Sequence, residues 1–154
     1  MSLEELKKID AKNLPIGKLI TMISRGHTIY LNHNLDELDI NASQLHLLFE
    51  ISHQNNINQE KIASRCNFNK GAVARSIKKL EDKNLVVRKI DDKNRRQNIV
   101  SLTDKGEEIL KKSIEILNIW EDEIYNNINI EKELLQEVLK DIAINTIELN
   151  NKDE

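Results

Sequence analysis

Apolar side chains recur every three or four residues in four segments of the chain, and this spacing predicts amphipathic helices there. One segment follows Pro15, a residue type tolerated where a helix starts, and another follows Thr103, a residue type that caps helices. The predicted helices span residues 16–35, 42–53, 104–127 and 131–149. Long helices near both ends therefore flank a more finely divided central segment.

The central segment begins with two short helices joined by a tight turn. Asn58 and Asn69 are good N-cap residues, and they predict helices over residues 59–66 and 70–83. Because little more than residues 67–69 remains for the link, the pair forms a helix-turn-helix. Asn84 then tolerates the left-handed backbone conformation that closes a helix.

Two short β-branched runs follow, at residues 85–90 and 98–102, and the polar residues 91–97 separate them. Two such runs around a polar loop predict a β-hairpin. The fold class is therefore mainly α with a small β-hairpin wing, which is a winged helix-turn-helix.

The composition agrees with one globular domain and limits its chemistry. The chain has 154 residues, of which 39% are apolar and 32% charged. No apolar run approaches the roughly 18 residues that span a membrane, and residues 1–10 lack a signal-peptide pattern, so we expect a cytoplasmic protein. Cys66 is the single cysteine, which excludes an internal disulfide. No glycine-rich phosphate loop or catalytic set occurs, so we expect neither an enzyme nor a cofactor.

Charge is distributed unevenly along the chain. The whole carries −3, but residues 61–105 hold thirteen Lys or Arg against five acids. That segment is therefore +8, and the remainder is −11. A basic segment within an acidic frame is typical of proteins that dock on nucleic acid, although a solvated charged face produces the same excess.

The predicted helix 70–83 has two chemically different faces. At about 100° per residue, Val73, Ile77 and Leu80 fall on one side and must face the core. The opposite side and its flank combine small residues with long cations: Gly71, Ala72, Arg75, Lys78 and Lys79. Such a surface fits the major groove of B-DNA, where arginine and lysine reach guanine acceptors. An ordinary amphipathic surface helix is the alternative.

The tip of the predicted hairpin carries three cations, which are Lys93, Arg95 and Arg96. A hairpin tip is narrow, and arginine suits the negative potential of a narrow minor groove. A charged solvent-exposed loop is the alternative, but the neighbouring groove-sized helix favours the wing.

Residues 56–110 closely resemble the MarR family of regulators. The recognition-helix pattern of the family appears as Lys70-Gly71-Ala72-Val73-Ala74-Arg75. Its wing pattern appears as Asp91, Arg95-Arg96, Leu102-Thr103 and Lys105-Gly106. The chain departs from the family at Asn94, where an acid usually precedes the paired arginines. In the family, that acid orients a wing arginine, and we expect Asp91 or Asp92 to take this role here.

The resemblance implies a homodimer that binds a pseudo-palindromic double-stranded DNA operator. Residues 1–40 and 103–154 would form the helical dimerisation region, and residues 41–102 the DNA-binding lobe. The implied DNA-binding residues are Gln59, Asn69, Lys70, Gly71, Ala72, Arg75, Lys78, Lys79, Lys93, Arg95 and Arg96. The expected role is that of a repressor.

Family members often bind a small aromatic or phenolic effector between the dimer region and the DNA lobe. His27, Tyr30 and His46 lie on elements that would line such a crevice. Three alternatives remain open: a winged-helix protein-interaction module, a redox-responsive regulator using Cys66, and a metal-responsive regulator using the histidines. We expect no metal site, because zinc-responsive members of the family also take ligands from the later helix, whereas all four histidines of this chain lie in its first third.

Overall fold

The computed structural model describes residues 1–54, 56–66, 69–92, 94–95, 97–126 and 128–151. Its elements in chain order are α1 (Leu3–Lys8), α2 (Ile16–Leu35), α3 (Ala42–His53), β1 (Ile57–Asn58), α4 (Gln59–Arg65), α5 (Lys70–Asp82), β2 (Val86–Ile90), β3 (Asn98–Leu102), α6 (Asp104–Tyr125) and α7 (Lys132–Asn151). The chain separates into two compact units, residues 1–117 and 118–154. None of the helices described here is long and apolar enough to cross a membrane.

The predicted helices and strands are confirmed, and their bounds agree with the structure to within two residues. The side chains of Asn58 and Asn69 cap α4 and α5 by accepting hydrogen bonds from backbone N–H groups. Asn84 adopts the expected left-handed conformation, with φ of 59°. Local capping and turn chemistry therefore set the divisions of the central segment.

A short α-helix and a short strand were not predicted from the sequence. Helix α1 has only six residues, and a capping box supports it: Ser2 Oγ accepts from the Glu5 N–H, and Glu5 Oε2 accepts from the Ser2 N–H. Strand β1 has two residues, of which Ile57 is buried. Both are too short to produce a periodic hydrophobic pattern.

The core of the first unit is built from α2, α3, α4, α5 and the sheet. Its fully buried side chains include one or more from each of these: Leu35, Leu48, Ile62, Ile77, Leu80 and Val100. The buried side chains of α5 are Val73, Ile77 and Leu80, the three that the helical spacing placed on one face. The opposite face of α5 is thereby directed away from the core.

The sheet is antiparallel with the strand order β1-β3-β2. Val100, in the middle of β3, pairs with Ile57 on one side and with Arg88 on the other. Because β1 leads directly into α4, the wing hairpin is joined through β3 to the start of the helix-turn-helix.

Apolar side chains remain exposed along helices in both units. In α2 they include Ile16, Ile23 and Ile29, with 66%, 57% and 61% of their surface exposed. Helix α7 has no buried residue. Its exposed apolar residues are Leu134, Val138, Leu139, Ile144, Ile147 and Leu149. Exposed apolar surface of this extent is typical of regions that another protein surface covers.

Residues 83–85 form a corner where α5, β2 and α6 meet. The backbone N–H of Leu85 donates to Leu80 O at 2.9 Å, and Leu85 O accepts from the Thr103 N–H at 3.1 Å. Thr103 Oγ1 donates to Asn84 O at 2.6 Å, and the same hydroxyl oxygen accepts from the Gly106 N–H at 3.0 Å. The predicted cap at Thr103 is therefore confirmed, and it also holds the corner.

Gly106 allows α6 to approach this corner closely. A Cβ atom at Gly106 would lie 2.0 Å from Leu85 O, a backbone atom that side-chain rotation cannot move away. Only glycine fits this contact without a shift of the backbone.

We expect Gly106→Ala to lower the free energy of unfolding by roughly 1–3 kcal/mol, because the added methyl group forces α6 away from the corner. Urea unfolding measures the change. Gly26→Ala is the matched control, since a Cβ there meets nothing within 4 Å and Gly26 lies inside α2. We expect the control to gain about 0.5–1 kcal/mol from helix propensity. Equal effects of the two substitutions would contradict the close approach.

Candidate nucleic-acid interface

The N-terminus of α5 is fixed by its cap. Asn69 Oδ1 accepts from the Gly71 N–H at 2.8 Å, which satisfies one of the free donors of the first turn. The buried face of α5 holds the helix against the core, while Arg75, Lys78 and Lys79 are exposed. The structure therefore places these three cations on one accessible surface.

Arg75 lies close to the first turn of its own helix. A Cβ atom built on Gly71 would be 3.5 Å from Arg75 Nη1 and 3.2 Å from Asn69 Oδ1. Glycine at position 71 thus leaves space that the Arg75 guanidinium and the cap share. Ala72 is half-buried beside it. The first turn of α5 therefore has small side chains at positions 71 and 72 beside the long side chain of Arg75.

The cations of this region differ in how they are paired. Lys78 Nζ lies 2.7 Å from Asp82 Oδ1 and 3.8 Å from Glu81 Oε2, and the hydrogen bond to Asp82 raises the pKa of Lys78. Lys70 Nζ lies 3.8 Å from Glu60 Oε1. Arg75, Lys79 and Arg95 have no ion pair with a residue that the structure describes.

Gln59 begins α4 beside the Asn58 cap. Its Oε1 atom is buried and accepts no hydrogen bond within the described ranges. The amide therefore has its acceptor directed into the protein. Gln59 is half-buried at this helix start, and a glutamine NH₂ group can donate to a phosphate oxygen.

The wing loop is closed by three backbone hydrogen bonds. Asp91 N–H donates to Gln97 O at 2.9 Å, Asn94 N–H donates to Asp91 O at 3.2 Å, and Gln97 N–H donates to Asn94 O at 2.8 Å. Arg95 is exposed on this loop. The predicted wing residues Lys93 and Arg96 lie outside the described residues, and the orienting role expected of Asp91 or Asp92 stays a prediction.

An ion pair that the sequence analysis missed connects the hairpin to α5. Arg88 Nη2 on β2 lies 2.9 Å from Glu81 Oε2 on α5, and both side chains are 29% exposed. The pair sets the base of the wing against the helix that carries Arg75. An acid and a base seven residues apart across a helix–strand turn are its only sequence signal.

The three candidate effector residues lie on two helices. His27 and Tyr30 are half-buried on α2, and His46 is exposed on α3. Burial lowers the pKa of His27, which favours its neutral form. A polar depression of about 200 Å³ between α2, α3 and the end of α5 is lined by other residues: Asp36, Asp39, Ile40, Asn41, Gln44 and Lys83.

Cys66 is buried and free. Burial and the neighbouring Glu50 carboxylate raise the pKa of its thiol, and these effects exceed the opposite effect of Arg65. Arg65 therefore does not lower the pKa of this thiol overall, and its Nε atom is itself 2.6 Å from Glu50 Oε2. Among the described residues, no group of three His, Cys, Asp or Glu is arranged to hold a metal ion.

Comparisons with known proteins agree with this geometry. The sequence model of the MarR family matches residues 40–97, which span α3 through the wing loop. An uncharacterized HTH-type transcriptional regulator of Bacillus subtilis, YdgJ, is 33% identical over 112 residues. The match covers 71% of this chain and 68% of that protein.

Solved structures share the fold over most of the chain. A MarR transcriptional regulator from Methanosarcina mazei Go1 superposes with a TM-score of 0.81 and 27% identity, covering 87% of this chain and 97% of that one. A cysteine variant of MarR from E. coli, complexed with operator DNA, superposes with a TM-score of 0.74 and 27% identity. That match covers 87% of this chain and 99% of the other.

Proposed function

The chain belongs to the MarR family of transcriptional regulators, and from this premise we propose that it binds double-stranded DNA as a homodimer. The observation that carries the proposal is the outer face of α5, where Arg75 and Lys79 are exposed and have no ion pair with a described residue. The similar fold of a MarR protein complexed with operator DNA supports it.

In the proposed complex, α5 enters the major groove. Gly71 and Ala72 allow close approach, and Arg75 reads base edges. Gln59, Asn69, Lys70 and Lys79 contact phosphates and fix the register, which is the usual role of such groups. Lys78 joins them only by exchanging Asp82 for a phosphate, because the two side chains are 2.7 Å apart in the free protein.

The wing completes the interface in this proposal. Arg95, together with Lys93 and Arg96, approaches the minor groove beside the site read by α5. The two α5 helices of a dimer would enter successive major grooves, about 34–36 Å apart. A palindromic operator follows from the two-fold symmetry.

The terminal helices provide the dimer contact in this proposal. Residues 1–40 and 103–154 form the dimerisation region, and residues 41–102 form the DNA-binding lobe. The exposed apolar residues of α2 and α7 support this division, because a second copy would remove them from water. We further propose that the protein is a cytoplasmic repressor. A small aromatic or phenolic effector that binds near His27, Tyr30 and His46 would release it from DNA.

Selection from a random double-stranded DNA library tests DNA binding directly. We expect the purified protein to enrich a palindromic sequence. Binding of that sequence should weaken by about 10³-fold between 50 and 200 mM salt if about six phosphates are neutralised. A library that stays unenriched at low salt, together with a monomeric mass, would sink the proposal and favour a protein-interaction module.

Arg75→Ala and Lys79→Ala should weaken binding in different ways. Arg75→Ala removes a base contact, so it should reduce the affinity for the operator by about 1–3 kcal/mol and relax the choice of base at one position in each half-site. Lys79→Ala removes a phosphate contact, so it should weaken binding to all DNA sequences equally. It should also lower the slope of log affinity against log salt concentration by about 1. Competition between the selected operator and single-base variants measures both. The same loss of base choice in both variants would contradict the assigned roles.

Val138→Lys should shift the protein from dimer to monomer, because a charge would replace an apolar side chain that is 46% exposed on α7. Sedimentation equilibrium measures the change. Gln136→Lys is the matched control, since it adds the same charge at an exposed polar position of α7. A Val138→Lys protein that stays dimeric would exclude this part of α7 from the interface.

A further inference from the structure

The hydrogen bonds within the wing loop define its shape but not its direction. The three backbone hydrogen bonds between described residues of the loop join residues 91–97 to one another. They would persist if the whole hairpin tip moved relative to α5. Beyond the β2–β3 ladder at its base, a contact from outside the hairpin would further define where Arg95 meets DNA.

The ladder between β1 and β3 stops before it reaches the loop. Its last pair towards the tip is Asn58 with Ile99, so Asn98 and Gln97 lie beyond it. A side-chain contact joins the hairpin to the β1–α4 segment beyond the last backbone pair, since Asn58 Nδ2 donates a hydrogen bond to Gln97 Oε1. This bond links the wing loop to the N-cap of α4.

The Asn58 side chain is fixed by a second contact. Its Oδ1 accepts from the Glu60 N–H at 2.7 Å as the helix cap, which fixes the carboxamide whose Nδ2 donates to Gln97. One carboxamide thus holds the helix start and the wing at the same time. Asn58 and Gln97 are both half-buried, which partly shields the bond between them from water.

Resting on the proposed DNA binding, we propose that Gln97 is a positioning residue that holds the wing against α4 so that Arg95 meets the DNA backbone or minor groove at one place. Gln97 acts through Asn58 and does not itself need to touch DNA.

Two substitutions remove the bond from opposite sides. Gln97→Leu keeps a similar volume and loses the acceptor. Asn58→Ser keeps a capping oxygen, since serine and asparagine are similar N-caps, and loses the amide donor. We expect each to weaken binding of the operator enriched by the wild-type protein about fivefold, the size of one lost hydrogen bond. The double variant should be no weaker than either single one.

Footprinting distinguishes a positioning role from a general loss of stability. Protection from hydroxyl radicals at the flanks of each half-site should be lost in both variants, while protection of guanine N7 in the major groove should remain. Ser101→Ala is the matched control, because it removes the 2.7 Å hydrogen bond from Ser101 Oγ to Asn56 Oδ1, which also joins β3 to the segment before α4. We expect its footprint to match that of the wild type.

Additive losses would overturn the proposal, because they would mean that Asn58 and Gln97 act separately. A wild-type flank footprint in Gln97→Leu would overturn it as well. Neither outcome touches the proposed function, which fails only if the wild-type protein enriches no DNA. Urea unfolding of each variant, with a midpoint near that of the wild type, shows that the lobe remains folded.

Discussion

The close contact between Gly106 and the Leu85 carbonyl is the constraint on which the geometry of the first unit depends. It brings the start of α6 against the corner that ends α5, and Thr103 and Lys105 secure it by donating to the Asn84 and Lys83 carbonyls. The same corner is held from the other side, because Lys83 Nζ lies 3.0 Å from Asp39 Oδ1 in the link between α2 and α3. The orientation of α5 is therefore set by its last residues as much as by its buried face.

The cations of the basic central segment fall into two groups that composition alone cannot separate: those paired with acids within the protein and those left exposed. Several of its cations are occupied within the protein, as Arg65 is with Glu50, Lys83 with Asp39 and Arg88 with Glu81. These contacts join elements of the first unit to one another. A smaller set, with Arg75 and Lys79 on α5, has no such partner among the described residues. The net charge therefore overstates the surface available to DNA, and the pairing pattern locates it more closely.

Local features of this chain could be predicted from sequence, and contacts between distant residues could not. The bounds of α2 and α3, the caps at Asn58 and Asn69, and the left-handed turn at Asn84 depend on neighbouring residues and on periodicity. The Asn58–Gln97 bond joins residues 39 positions apart. Nothing in the spacing of either residue indicates the other. The Arg88–Glu81 pair joins residues only seven positions apart, but it forms only because the corner turns β2 back along α5.

Helix α7 shows the same difference between local and long-range effects, because its helical structure is local and the burial of its apolar side chains is not. Its apolar spacing predicts a helix, and the helix forms over 20 residues, yet none of them is buried. In proteins, most of the stability of a helix comes from packing its apolar face against another surface. Its apolar side chains therefore need a surface that covers them. In a regulator that reads two half-sites, a second copy would supply that surface and would also bring a second reading helix to the operator. The stability of α7 and the proposed recognition of a palindrome then have a common physical origin.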